Sequence, residues 1–179
     1  MKAGHAPPGP TPATELAQLL EEARRRLDQL LAEGCSAPSG APPPCLDELY
    51  DYLLEQLVPL LHGVRLRIRP VLRRHLGREA GASAAVPAAD AVLERLVERV
   101  ALLRATYADD PVRARLELAP LLPRLAEHAA CRLDLERRTL PVLVGALPVD
   151  VGSAAVAGLR RTADAVRAVP RTDLAVGVL

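Results

Sequence analysis

The chain has 179 residues, enough for one domain with tails, and half of them are hydrophobic. Its 23 basic and 22 acidic side chains leave a net charge near +1, without the electrostatic footprint of a nucleic-acid binder. With no Phe or Trp, and only Tyr50, Tyr52 and Tyr107 as aromatics, the interior must be Leu, Val and Ala. Such a composition favours helices packed on helices over a β-sandwich.

Residues 1–10, with Gly4, Pro7, Pro8, Gly9 and Pro10, carry no apolar pattern and predict a disordered arm. The arm lacks the apolar core of a signal peptide. No stretch of the chain reaches the roughly 18 uncharged apolar residues of a spanning helix. Three cysteines, Cys35, Cys45 and Cys131, cannot all pair, so a reducing cytoplasm is the expected location, with no membrane association.

Thr11 followed by Pro12 predicts a helix start, and Leu16, Leu19, Leu20, Ala23, Leu27, Leu30 and Leu31 recur at helical spacing until Gly34. On its polar face Glu21 and Glu22 stand four residues before Arg25 and Arg26, a spacing for intrahelical pairs. Cys35 and Cys45 bracket a Pro-rich loop, and whether they pair across it stays open. A second pattern runs through Leu46, Leu49, Tyr50, Leu53, Leu57, Leu60, Leu61, Val64, Ile68, Val71 and Leu72 to Gly77. It contains Pro59 and Pro70, and an interior proline costs a helix about 3 kcal/mol, so kinks or a break are expected there.

A small-residue connector with Gly81, Ser83 and Pro87 leads to a third pattern, Val92, Leu93, Leu96, Val100, Leu103 and Tyr107. Asp109-Asp110-Pro111 ends it and caps the next helix. The fourth pattern uses Leu118, Leu122, Leu125, Ala129, Leu133, Leu140 and Leu143, interrupted by Pro120, Pro123 and Pro141. An Ala-rich segment from about Ser153 to Ala168 predicts a short extra C-terminal helix before Pro170. The expected fold is thus all-α, an up-down-up-down four-helix bundle with that extra helix. The arm would take residues 1–10, the bundle 11–148, and the C-terminal helix and tail 149–179.

The second and fourth patterns share a proline followed by two apolar residues, Pro70-Val71-Leu72 and Pro141-Val142-Leu143, related by a shift of 71 residues. Superposing the prolines puts Leu60 on Cys131, Val64 on Leu135 and Arg65 on Glu136. The helix lengths, this repeated end and the stretch from Leu125 to Leu143, "LAEHAACRLDLERRTLPVL", resemble the hemerythrin-like (HHE) family over about residues 14–147. The resemblance implies an up-down bundle, the arrangement of myohemerythrin that serves as a standard example of such bundles. It also implies a non-haem di-iron site of inward His and carboxylate ligands, the N and O donors iron prefers. Counted from the two prolines, the family's ligand positions fall on Leu60, Val64, Cys131 and Leu135, with Ala23 and Arg99 at looser register on the first and third helices. Of these six only the thiol can bind metal, so the resemblance implies a di-iron site replaced by packing, with Leu60, Val64 and Leu135 filling the centre.

The remaining candidates are few. His62 and His75 lie 13 residues apart, which turns them about 140° from each other on an ideal helix. A fallback metal or redox site is His128, Cys131 and Glu136; the alternative is a boundary His, a buried structural Cys and a solvated Glu. Cys131 could sense oxidants if Arg132 or His128 lowered its pKa, but a buried free Cys ordinarily behaves as a small hydrophobe. Arg65, Arg69 and Arg73 form a stripe at four-residue spacing, either a dock for an acidic partner or a wet face. No phosphate loop, zinc-finger cysteine pair or nucleophile elbow is present. The expectation is a non-catalytic binding, regulatory or scaffold module, not an enzyme and without a cofactor, acting on a protein or small-molecule partner. The alternative is a hemerythrin-like protein that binds oxygen or a related small molecule at non-haem iron with unusual ligands. The apolar tail Leu174 to Leu179 is compatible with a homodimer.

Overall fold

The computed structural model describes residues 9–35, 46–77 and 85–168; the Cys35–Cys45 loop, the arm before residue 9 with His5, and the tail after residue 168 lie outside the described residues. Among the described residues the chain is all-helical, with six helices and no strand. Helix α1 is Pro12–Cys35. Its start follows the expected chemistry: the Thr14 amide donates to Thr11 Oγ1 at 3.2 Å and the Glu15 amide to the Thr11 carbonyl at 2.9 Å.

Helix α2 runs unbroken over residues 46–76 through both prolines, where a kink or break was expected. The reason lies in two π-helical stretches, Tyr52–Leu57 and Val64–Ile68. The Val58 amide reaches back to the Leu53 carbonyl and the Arg69 amide to that of Val64, each five residues earlier. A proline ring collides with the carbonyl four residues before it. For Pro59 and Pro70 those carbonyls belong to Glu55 and Leu66, inside the widened turns. The extra residue per turn makes room for each ring and moves the side chains beyond it around the axis. Gly77, at φ 91°, ends the helix where the sequence placed its stop.

Helix α3 is Ala85–Thr106, α4 is Pro111–Leu118, α5 is Leu122–Gly145 and α6 is Val149–Ala168. Asp110 caps α4 as expected, its Oδ1 accepting from the Arg113 amide at 3.0 Å. The fourth sequence pattern is therefore two helices: Pro120 falls in the turn between them and Pro123 in the first turn of α5. Pro141 stays inside α5.

The packing order differs from the expected one. Helices α1, α2, α5 and α6 touch one another around the leucine interior, α1 against α5 being the most extensive pair. The C-terminal helix is part of that interior, contributing Ala155, Val156 and Leu159. Helix α3 instead lies on α5 with α4 beside it. Only Leu93 and Val100 of its apolar face are buried, while Val92, Leu96, Leu103 and Tyr107 stay partly exposed. A bare Cα at Gly63 permits the close approach of α2 and α6, since a Cβ there would stand 2.8 Å from Leu159 Cδ1.

The polar face of α1 works between helices. Arg24 Nε donates to Asp134 Oδ1 at 3.2 Å, Arg137 pairs with Glu21, and Arg26 lies 3.7 Å from Glu48. Glu21 is thus engaged by α5 where an intrahelical partner, Arg25, was expected. Buried Tyr52 donates its hydroxyl to the Ala23 carbonyl at 2.6 Å, tying the first π stretch to α1. No described helix is long and apolar enough to cross a membrane.

Candidate functional site

The residues singled out by the sequence do not converge. His128 is partly buried on α5, Cys131 is an exposed free thiol, and Glu136 is 0% exposed. Five residues on an α-helix turn by about 140°, which separates Cys131 from Glu136. The fallback site His128, Cys131 and Glu136 is therefore not assembled, and two of its alternative readings are also corrected: Cys131 is not buried and Glu136 is not solvated. Among the described residues no three His, Cys, Asp or Glu side chains are grouped as metal ligands would be.

The positions matched to the family's ligands divide in the same way. Leu60, Val64 and Ala23 are buried, whereas Leu135 is half-buried and Cys131 and Arg99 are exposed. Of the three residues expected at the centre, Leu60 and Val64 are buried and Leu135 is only half-buried. Leu60 and Val64 offer no donor atom, and the one thiol of the set points away from them. These residues do not fit a di-iron centre.

What the interior does contain is a chain of buried charge. Arg69, from just beyond the second π stretch, holds both oxygens of Glu136: its Nη2 lies 2.8 Å from Oε1 and 3.0 Å from Oε2, and its Nε 3.2 Å from Oε1. Arg132, one turn before Glu136 on α5, pairs with the same carboxylate through Nη1 and donates from Nε to Asp90 Oδ1 of α3 at 2.6 Å. Arg69 is 5%, Arg132 1% and Glu136 0% exposed, so all three ions are desolvated. Two carboxylates and two guanidiniums balance formally, and the forked contact from Arg69 is the strong form of such a pair. Neither Nη1 nor Nη2 of Arg132 has a hydrogen-bond partner among the described residues, Nη1 meeting Glu136 as an ion pair only, and each such buried donor costs about 1–3 kcal/mol.

This arrangement limits the chemistry open to Glu136. Both of its oxygens accept from Arg69, Arg132 stands beside them as a second guanidinium, and that positive charge repels a metal ion. It cannot reach a substrate as an acid or base from behind its partners. The network is instead a set of struts between α2, α5 and α3. Sequence reading placed Arg69 in a stripe offered to a partner or to water, set Arg132 beside Cys131 and missed Asp90, although one signal was available: Glu136 falls between Leu133 and Leu140 in the apolar stripe of α5, with Arg132 four residues before it. The arginine stripe of α2 is likewise divided, Arg65 and Arg73 being exposed and Arg69 buried, because the π stretch turns Arg69 inward.

Among the described residues, depressions open on the surface at two places. One, about 420 Å³, lies between α1 and the first π stretch and is lined by Glu22, Arg26, Tyr52 and Gln56 with leucines. The other, about 270 Å³, lies between α2 and α3. Its floor is Val58, Leu61, Leu93 and Val97, and its rim carries His62, Arg65, Asp90, Glu94 and Glu98. Tyr50 lies elsewhere, beneath the Arg104 guanidinium at 4.4 Å. Burial of its phenol raises its pKa above the ordinary value, an effect Arg104 partly opposes.

No protein-family model matches the chain, and neither a curated protein nor a solved structure matches it.

Proposed function

We propose that this chain is a non-catalytic helical module that binds, regulates or scaffolds a partner, built on a hemerythrin-like four-helix bundle whose di-iron positions have been given over to packing. The observation that carries the reading is the placement of Leu60 and Val64 in the interior with Cys131 turned outward. A catalytic carboxylate would need access, and Glu136, the only fully enclosed acid described, has none, with both of its oxygens held by Arg69. The surface grooves offer room for recognition.

Reconstitution tests the reading directly. The purified protein is incubated with ferrous iron without oxygen, exposed to air and desalted. Iron content and the near-ultraviolet band of an oxo-bridged pair are then recorded. The expected result is no stoichiometric iron, no such band, and helicity unchanged by a chelator. Two irons per chain with that band would overturn the proposal in favour of a hemerythrin-like oxygen-binding protein with unusual ligands.

A further inference from the structure

The groove between α2 and α3 combines an apolar floor with a rim whose charges do not cancel. Asp90, Glu94 and Glu98 stand at four-residue steps along one face of α3 and all border the groove. Two of the three are already matched within the chain. Asp90 accepts from the buried Arg132 Nε at 2.6 Å, and Glu94 pairs with Arg65 on the opposite wall. Glu98 makes no ion pair among the described residues. The groove therefore carries one surplus negative charge above Val58, Leu61, Leu93 and Val97.

From this we infer that the groove is a binding site for a compact organic cation, an apolar chain or ring ending in a single ammonium. The apolar body lies on the four aliphatic side chains and the ammonium meets Glu98. A volume of about 270 Å³ is close to the lower bound, about 300 Å³, of small-molecule sites, so one short chain or one ring fills it. An anionic ligand would place its charge beside three carboxylates, two of which already hold the available guanidiniums. A neutral ligand would gain the floor alone. The site's selectivity thus comes from Glu98 and its affinity from the aliphatic floor.

The wall of the site is unusually well supported for a surface groove. Asp90 is anchored through Arg132 to Glu136 and Arg69, so the α3 side of the groove is pinned to the interior of α2 and α5 by the buried network. Holding the two walls at a constant separation reduces the ordering that a ligand must otherwise impose.

The inference rests on reading the chain as a binding module, but the two fail separately, because iron uptake is measured without any groove ligand. The test uses the full chain and three probes of equal length, hexylammonium, 1-hexanol and hexanoate, followed by protein-observed NMR titration at low salt. Hexylammonium is expected to bind most tightly, with shifts confined to residues of the groove, and hexanoate least. Glu98→Gln should weaken hexylammonium by roughly three- to fivefold, the range for one partly exposed ion pair, and leave hexanol unchanged. Val97→Lys, which tethers a competing ammonium on the floor, should abolish binding of both at unchanged helicity. Equal binding of hexanoate and hexylammonium would overturn the inference. So would indifference to Glu98→Gln, or the absence of groove shifts with hexylammonium at concentrations of about 10 mM, a very weak affinity even for a fragment.

Discussion

Helices α2 and α5 end on the same proline followed by two apolar residues, yet they accommodate that proline in opposite ways. In α2 the chain widens into a π turn before each of Pro59 and Pro70, and the register beyond each turn is displaced. In α5 the α-helix carries Pro141 without such a turn, and its apolar stripe continues unbroken from Leu122 to Val144. The contrast bears on how the two segments meet. Superposing the prolines makes Arg65 the counterpart of Glu136, and the residue of α2 that reaches Glu136 is Arg69, one turn further on. The winding of α2 aims the arginine inward, and the unbroken stripe of α5 delivers the glutamate to it. The two segments are alike in sequence pattern and complementary in structure.

The comparison is broken most severely at Glu136. Glu136→Ala leaves Arg69 and Arg132 buried without their shared counter-ion, and a loss of about 3–5 kcal/mol is expected in chemical denaturation. Arg65→Ala, the superposed position on α2, removes only an exposed pair with Glu94 and should change stability by less than about 1 kcal/mol. Comparable losses for the two variants would show that the buried network does not hold the helices together. Next in size is Gly63→Ala, whose Cβ would press on Leu159 at 2.8 Å. Overpacking of about 1–3 kcal/mol, offset by the roughly 0.5–1 kcal/mol that Ala gains over Gly inside a helix, leaves an expected net loss of up to about 2 kcal/mol. Gly145→Ala on α5 meets Ala13 at an ordinary 3.5 Å and should be neutral or slightly stabilising.

The prolines themselves sharpen the contrast. Pro141→Ala restores an amide to a regular helix and is expected to raise stability by about 1–2 kcal/mol, less than the full proline penalty because part of its packing is lost. Pro70→Ala should gain less, since the π turn already accommodates the ring; a thermal melt of each variant decides it, and equal gains would argue against that role for the π turn. The smallest effect concerns Tyr50, which has no aromatic counterpart on α5. Its raised pKa means that the folded chain holds the phenolic proton more tightly than the unfolded one. The associated stability is present below the ordinary tyrosine pKa of about 10 and is lost as pH rises through the folded value. Alkaline titration followed by phenolate absorbance should lose a late-titrating tyrosine in Tyr50→Phe.

Much of the helical framework was legible because its signals are local. A hydroxyl at Thr11, a carboxylate at Asp110 and a glycine at Gly77 each act on backbone within a few residues. The leucine stripes of α1 and α5 likewise need only helical spacing to be recognised. The candidate site was much less legible. His128, Cys131 and Glu136 are near neighbours in sequence, but burial of Glu136 depends on Arg69, 67 residues away, and on Asp90 from a third helix through Arg132. A carboxylate in an apolar stripe becomes acceptable only when partners arrive from elsewhere, and spacing along one helix does not report them.

By itself, then, the amino-acid pattern determined that this protein is helical, where most of its helices begin and end, and that its interior is aliphatic. Those properties follow from backbone capping and from the periodic removal of leucine from water. Tertiary structure alone decided that α6 joins the central interior while α3 packs chiefly on α5 and adds only Leu93 and Val100 to it, that Pro59 and Pro70 alter the winding without breaking it, and that Arg69 and Glu136 meet in the interior. Each of these outcomes balances a local cost, a lost hydrogen bond or a desolvated charge, against contacts supplied by distant parts of the chain.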